Sequence, residues 1–180
     1  EESKKAIGLA GRFIVLFVGR FIKIKGIETM AEVAGLSDRN INFVFIGDQG
    51  PFLGYLEEQS RRRENIILIK DISGEELIPY YQAADIFVIP SQYDEAFGKV
   101  IIEALSCGTP VIGSNRGAIP DIISDSVGVV LEPTAQNIRE RVDYFYRNPL
   151  ALRSLTSNCR AYAEKNFSQK NIEVITNSYQ

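Results

Sequence analysis

The stretch Asp85-Ile86-Phe87-Val88-Ile89-Pro90-Ser91-Gln92-Tyr93-Asp94-Glu95-Ala96-Phe97-Gly98-Lys99-Val100-Ile101-Ile102-Glu103-Ala104-Leu105-Ser106-Cys107-Gly108-Thr109-Pro110-Val111-Ile112 decides how this chain folds. Its β-branched and aromatic opening, 85–89, reads as a strand that stops at Pro90. A polar loop follows, then helical spacing from about Gly98 to Cys107-Gly108, where the glycine marks the helix end. Pro110-Val111-Ile112 opens another strand. Strand, loop, helix, strand is a βαβ unit, the building block of parallel sheets. Ligands of open parallel sheets sit beyond the carboxyl ends of the strands. The loop carrying Glu95 and the helix carrying Glu103 are therefore the first candidates for a site.

The same alternation recurs outward in both directions. Residues 13–18 and 41–46 are continuous apolar runs that fit strands buried on both faces, and 65–70, 110–114 and 127–131 read as further strands. Helical patterns lie between them: from about Gly26 to Leu36, around Tyr55, Leu56 and Gln59, and through Tyr80, Tyr81 and Ala84 after a capping box at Ser73-Gly74-Glu75-Glu76. From Thr134 two helices follow, broken at Asn148-Pro149, with Ile138, Val142, Phe145, Leu152, Cys159 and Phe167 among their packing stripes. The prediction is an α/β fold, a Rossmann-like doubly wound parallel sheet of about six strands with flanking helices. It occupies 13–180, behind a charged linker or N-terminal extension at 1–12.

Composition narrows the function. The 180 residues are 45% hydrophobic and 24% charged, enough for one sizeable core. A net charge of −3 makes no case for nucleic acid or an anionic membrane surface, so any basic patch must be local. Cys107 and Cys159 belong to no disulfide or zinc spacing and fit a reducing compartment. The chain has no histidine, which excludes serine-histidine and cysteine-histidine mechanisms within it. No apolar run approaches the roughly 20 residues of a membrane span and no signal peptide opens the chain. The expected location is cytoplasmic, with peripheral membrane contact open to a longer protein. The absence of an initiator Met fits a fragment or processed chain.

Two places carry chemistry. At the helix N-terminus the amides of Phe97, Gly98 and Lys99 form a seat for phosphate oxygens, and Gly98 lets a ligand approach the backbone. Glu95 is placed at the mouth of this site. Glu103 lies about a turn and a half along, able to accept hydrogen bonds from two vicinal hydroxyls, a combination suited to a nucleoside diphosphate attached to a sugar. The same residues also read as a surface Lys99–Glu103 pair beside an ordinary loop acid. After the first strand, Gly19-Arg20, Lys23 and Lys25-Gly26 put three cations where a diphosphate can be held by charge-assisted contacts; the other reading is solvated loop charge, and Lys23 reads as solvent-facing. Gly47-Asp48-Gln49-Gly50-Pro51 is neither a dinucleotide fingerprint nor a Walker A loop and reads as a β-to-α turn that needs glycine.

At these residues the chain resembles the retaining GT-B glycosyltransferases of group 1, also called family 4. The match runs through Pro90, Ser91, Glu95, Phe97, Gly98, Glu103, Ala104, Gly108, Pro110 and Val111, with Gly19, Arg20, Lys25 and Gly26 as a second signature. The resemblance implies one half of a GT-B fold, the C-terminal donor-binding domain, with the N-terminal acceptor domain absent. It implies transfer of a hexose-type sugar from a UDP-, GDP- or ADP-linked donor, with no cofactor and no metal, to an acceptor sugar or lipid-linked sugar held by the missing domain. Arg20 and Lys25 would neutralise the diphosphate, Glu95 would touch the donor sugar, and Glu103 would grip the ribose. Gly19, Lys99 and the amides of Phe97 and Gly98 complete the expected donor site. Where that family shows Gly-x-Gly, this chain has Gly47 and Gly50. A non-catalytic nucleotide-binding or regulatory module, or a GT-B sugar-nucleotide epimerase, are the alternatives.

Overall fold

The computed structural model describes residues 1–47, 50–96 and 98–167. Six strands, β1 (Phe13–Val18), β2 (Ile41–Ile46), β3 (Ile66–Ile69), β4 (Ile86–Ile89), β5 (Val111–Ser114) and β6 (Gly128–Leu131), form one all-parallel sheet in the order β3-β2-β1-β4-β5-β6. The helices are α1 (Glu2–Ala6), α2 (Ile27–Leu36), α3 (Leu53–Arg62), α4 (Ile78–Ala83), α5 (Lys99–Ser106), α6 (Ile119–Ile122), α7 (Ala135–Arg147) and α8 (Pro149–Phe167).

The apolar runs are continuous because each strand feeds two cores. Val15, Phe17, Phe43, Phe45 and Val88 meet Met30 of α2 and Ile138 and Val142 of α7 on one face. Ile14, Leu16, Val44, Phe87 and Val111 meet Ile101 and Leu105 of α5 and Cys159 of α8 on the other. Each such side chain contributes about 1.5–3 kcal/mol by leaving water, so the two layers, and not strand propensity, hold the sheet.

The sheet runs outward in both directions from the neighbours β1 and β4. This is a topological switch point, where loops diverge to opposite faces and leave a crevice at the carboxyl ends. At the other end Asp85 fastens α1: its Oδ2 accepts from Lys4 Nζ at 2.6 Å and from the Ile14 amide at 2.7 Å, while Lys4 Nζ also donates to the Arg12 carbonyl at 2.7 Å. Nothing in the charged pattern of 1–12 pointed to that contact. Among the described residues, no helix is long and apolar enough to cross a membrane.

Candidate functional site

Two loops meet at the crevice. After β1 the chain passes Gly19 and Arg20 into a 3₁₀ turn at Lys23–Lys25; after β4 it stops at Pro90 and runs through Ser91 to Glu95. Lys25 Nζ lies 2.5 Å from Glu95 Oε1 and donates to the Tyr93 hydroxyl at 3.0 Å. Tyr93 in turn donates to Glu95 Oε2 at 3.0 Å, and Ser91 Oγ donates to Glu95 Oε1 at 2.6 Å. The ammonium also sits 5.0 Å from the Tyr93 ring centroid, within cation–π range. Lysine, tyrosine and glutamate therefore close a three-membered ring.

This corrects one expectation. Glu95 is only 8% exposed, so it lies below the rim with both oxygens engaged, and not at the mouth. Its charge survives burial. Desolvation pushes its pKa up, but hydrogen bonds from Lys25, Ser91 and Tyr93 outweigh this and hold it below the ordinary carboxylate value. For Lys25, burial pulls downward, and the bonds to Glu95 and Tyr93 win and raise it. The ring is an ion pair at neutral pH. Ser91 and Tyr93 went unforeseen as its partners because a short loop has no periodicity to show which way its side chains turn.

The β4 loop is also fixed from outside. The Gln92 amide donates to the Ile24 carbonyl at 2.8 Å, the Ala118 amide to the Glu95 carbonyl at 2.8 Å, and the Gly117 amide to Asp94 Oδ1 at 2.9 Å. Gly117 has φ +54°, and a Cβ there would come within 2.4 Å of Glu95 N and O. Only glycine lets the loop after β5 press this closely on the backbone that carries Glu95.

Arg20 is exposed and has no ion-pair partner among the described residues. Lys23 faces solvent, 3.5 Å from Glu28. Gly98 precedes α5, and a Cβ on it would lie 2.8 Å from Ile101 Cδ1 and 3.1 Å from Ile122 Cδ1, so its small size serves packing. Lys99 is exposed and sits 3.4 Å from Glu103, the surface pair that spacing alone allowed. Glu103 has a second partner that the sequence did not announce: buried Tyr81 donates its hydroxyl to Oε2 at 2.9 Å. Burial, and then the Glu103 charge, raise the Tyr81 pKa, so the phenol keeps its proton and stays the donor. Glu103 and Tyr81 line an open groove of about 520 Å³ with Ile78, Ile102 and Cys107.

No hydrogen bond or ion pair among the described residues joins the Lys25–Glu95 ring to the Lys99–Glu103 pair. Phe97 lies outside the described residues, as do Asp48 and Gln49. Gly47 and Gly50 back onto the carbonyls of Gly19 and Phe21, where a Cβ would fall 2.2 Å away in both cases, which accounts for glycine in that turn.

Strand order and crevice define a Rossmann-like α/β domain whose polar side chains gather at the switch point. The chain belongs to the family described as Glycosyl transferases group 1, which it matches over residues 1–166. It is 27% identical over 188 aligned residues to Spore coat protein SA of Bacillus subtilis, covering 96% of this chain and 49% of that protein. It is 39% identical over 118 residues to a GDP-mannose-dependent alpha-mannosyltransferase of Corynebacterium glutamicum, covering 66% of this chain and 27% of that enzyme. Among solved structures it is similar to sucrose-phosphate synthase from Thermosynechococcus elongatus, with TM-score 0.86, 29% identity, and coverage of 99% of this chain and 47% of the other. Anabaena HepE in complex with UDP-glucose shares the fold at TM-score 0.83 and 21% identity, covering 98% of this chain and 52% of the other. The chain thus spans about half or less of the length of the curated relatives it matches.

Proposed function

We propose that this chain is the donor-holding half of a retaining glycosyltransferase and binds a nucleoside diphosphate sugar across the switch point. The observation that carries the reading is the Lys25–Tyr93–Glu95 ring at the carboxyl ends of β1 and β4, with exposed Arg20 in the same loop after β1 as Lys25.

As the bond from the anomeric carbon to the phosphate oxygen breaks, negative charge grows on the leaving diphosphate. Arg20 and Lys25 stabilise that charge, an electrostatic contribution realised mainly in the transition state. Lys25 is suited to it because its partners keep it protonated and hold its ammonium in one place. The amides at the start of α5 take further phosphate or sugar oxygens. With these cations and the helix dipole available, the reaction needs neither a metal ion nor a cofactor. Glu103, oriented by Tyr81, takes the ribose hydroxyls, and the apolar groove beside it fits the nucleoside. The departing diphosphate accepts the acceptor's proton, and a hexose is transferred with retention to an acceptor held by the other half of the enzyme.

Calorimetric titration with UDP, GDP and ADP tests the reading. One nucleotide should bind, and Glu103→Ala and a 2′-deoxy ligand should each weaken it by about 1–3 kcal/mol without adding, as the two ends of one hydrogen bond. Arg20→Ala should weaken it as well. Binding indifferent to all three changes would overturn the assignment.

A further inference from the structure

The end of the sheet opposite the crevice carries a second polar groove, of about 460 Å³. Arg12 lies just before β1, Arg39 before β2, and Arg62 and Arg63 before β3, so four arginines line one concavity, with Glu64 the one acid in the lining among the described residues. This is an unusual concentration of positive charge in a chain whose net charge is −3.

Helix dipoles explain part of it. Arg62 stands in the last turn of α3, where cations are favoured, and pairs with Glu58. Arg12 and Arg39 stand on no helix and have no ion-pair partner among the described residues. Arg63 donates to the neutral Gln59 side chain and has no ion-pair partner among the described residues, and its guanidinium lies against Gly35, where a Cβ would be 3.0 Å from Nη2. The walls are also fixed. Asn42 Nδ2 donates to the Asn40 carbonyl at 3.2 Å and Asn65 Nδ2 to the Ala34 carbonyl at 3.0 Å, which ties down the loops bearing Arg39 and Arg63.

We propose that this groove binds a phosphate-bearing anion. With four arginines and one glutamate in its lining, and no ion pair on three of those arginines among the described residues, the concavity carries a net positive charge that favours an anion. Phosphate oxygens match the planar, two-pronged donor geometry of arginine. The same chemistry is offered by a free phosphate compound and by phospholipid headgroups. The site is separate from the donor crevice and does not depend on the reading of that crevice.

The test is titration of the chain with inorganic pyrophosphate, followed by backbone amide NMR. Gly35, Ser37 and Asn65 report this groove, while Gly19 and Lys25 report the crevice. Saturable shifts should occur at the groove amides. The double variant Arg12→Gln/Arg39→Gln, both exposed positions, should weaken them by about tenfold or more, the loss of one or more charge-assisted contacts. Flotation with phosphatidylcholine vesicles, with and without phosphatidylglycerol, separates the sources. Binding to the anionic vesicles that the double variant loses assigns the groove to headgroups, and pyrophosphate binding without vesicle binding assigns it to a soluble phosphate compound. The proposal is overturned by no groove shifts, or shifts confined to the crevice, together with no preference for anionic vesicles, or by binding that the double variant leaves unchanged.

Discussion

Glu95 spends both carboxylate oxygens inside the protein, on Lys25, Ser91 and Tyr93, so its substitution is a stability experiment before it is a functional one. Glu95→Ala strands a half-buried ammonium and two hydroxyls. Removing one partner of a buried pair costs several kcal/mol, and because the Lys25 side chain keeps 19% exposure and can turn to water, about 2–4 kcal/mol is expected. The pH dependence follows from the two shifts. Folded Glu95 holds its proton less tightly than an ordinary carboxyl at 4.5, so near that pH the unfolded state binds more protons and stability rises with pH. Its contribution is full above 4.5 and is lost as pH falls through the lowered folded value. Lys25 runs the other way: its contribution is full below 10.5 and is lost as pH rises through the raised folded value. Urea midpoints of wild type and Glu95→Gln should therefore differ most between these limits and converge in acid. A difference that stays constant through the acid limb would mean that the carboxylate is not held as described.

The elements differ in how far the sequence alone revealed them. The limits of α5, read at about Gly98 and Cys107, fall at Lys99–Ser106 because its apolar face, Ile101, Ala104 and Leu105, is a local pattern. The six strands were legible for the same reason, as short runs of β-branched and aromatic residues that each meet two cores. The partners of the site were not. Tyr81 reaches Glu103 from α4, and Gly117 reaches Glu95 from the loop after β5. Both contacts depend on which strands are neighbours, and residue spacing within one element carries no record of that. Gly117→Ala measures how closely the two loops are coupled. The left-handed backbone disfavours alanine, and the added carbon meets backbone atoms of Glu95 that have little room to yield. A loss of roughly 2–4 kcal/mol is expected, beyond the usual cost of alanine in that conformation alone. Denaturant unfolding measures it, and because the obstacle is Glu95's own backbone, the Lys25 and Tyr93 resonances should shift as well. A loss under about 1 kcal/mol with unmoved resonances would mean that the loops are not in register as seen.

At the scale of the whole molecule, the order β3-β2-β1-β4-β5-β6 brings Arg20 and the Lys25–Glu95 ring together at one end and the arginine groove at the other. Runs and turns gave the number of strands, but their order is set by crossover packing and appears only in the structure. The crevice they form is one wall. Arg20 is solvated, and the groove beside Glu103 is open. A glycosyl donor opened in such a place meets water as readily as an acceptor, and cations in contact with bulk solvent stabilise a leaving diphosphate far less than cations in a closed site. The curated relatives that the chain matches are at least about twice its length, which leaves room for the opposing wall and the acceptor site in the enzyme of which this would be half. The isolated chain should therefore bind its nucleotide weakly and transfer no sugar. Nucleoside diphosphate release from sugar donors, followed with and without simple sugar acceptors, should stay at the level of the Arg20→Ala/Lys25→Ala control. Acceptor-dependent release above that control would show that one wall suffices, and the division of labour proposed for the two halves would have to be abandoned.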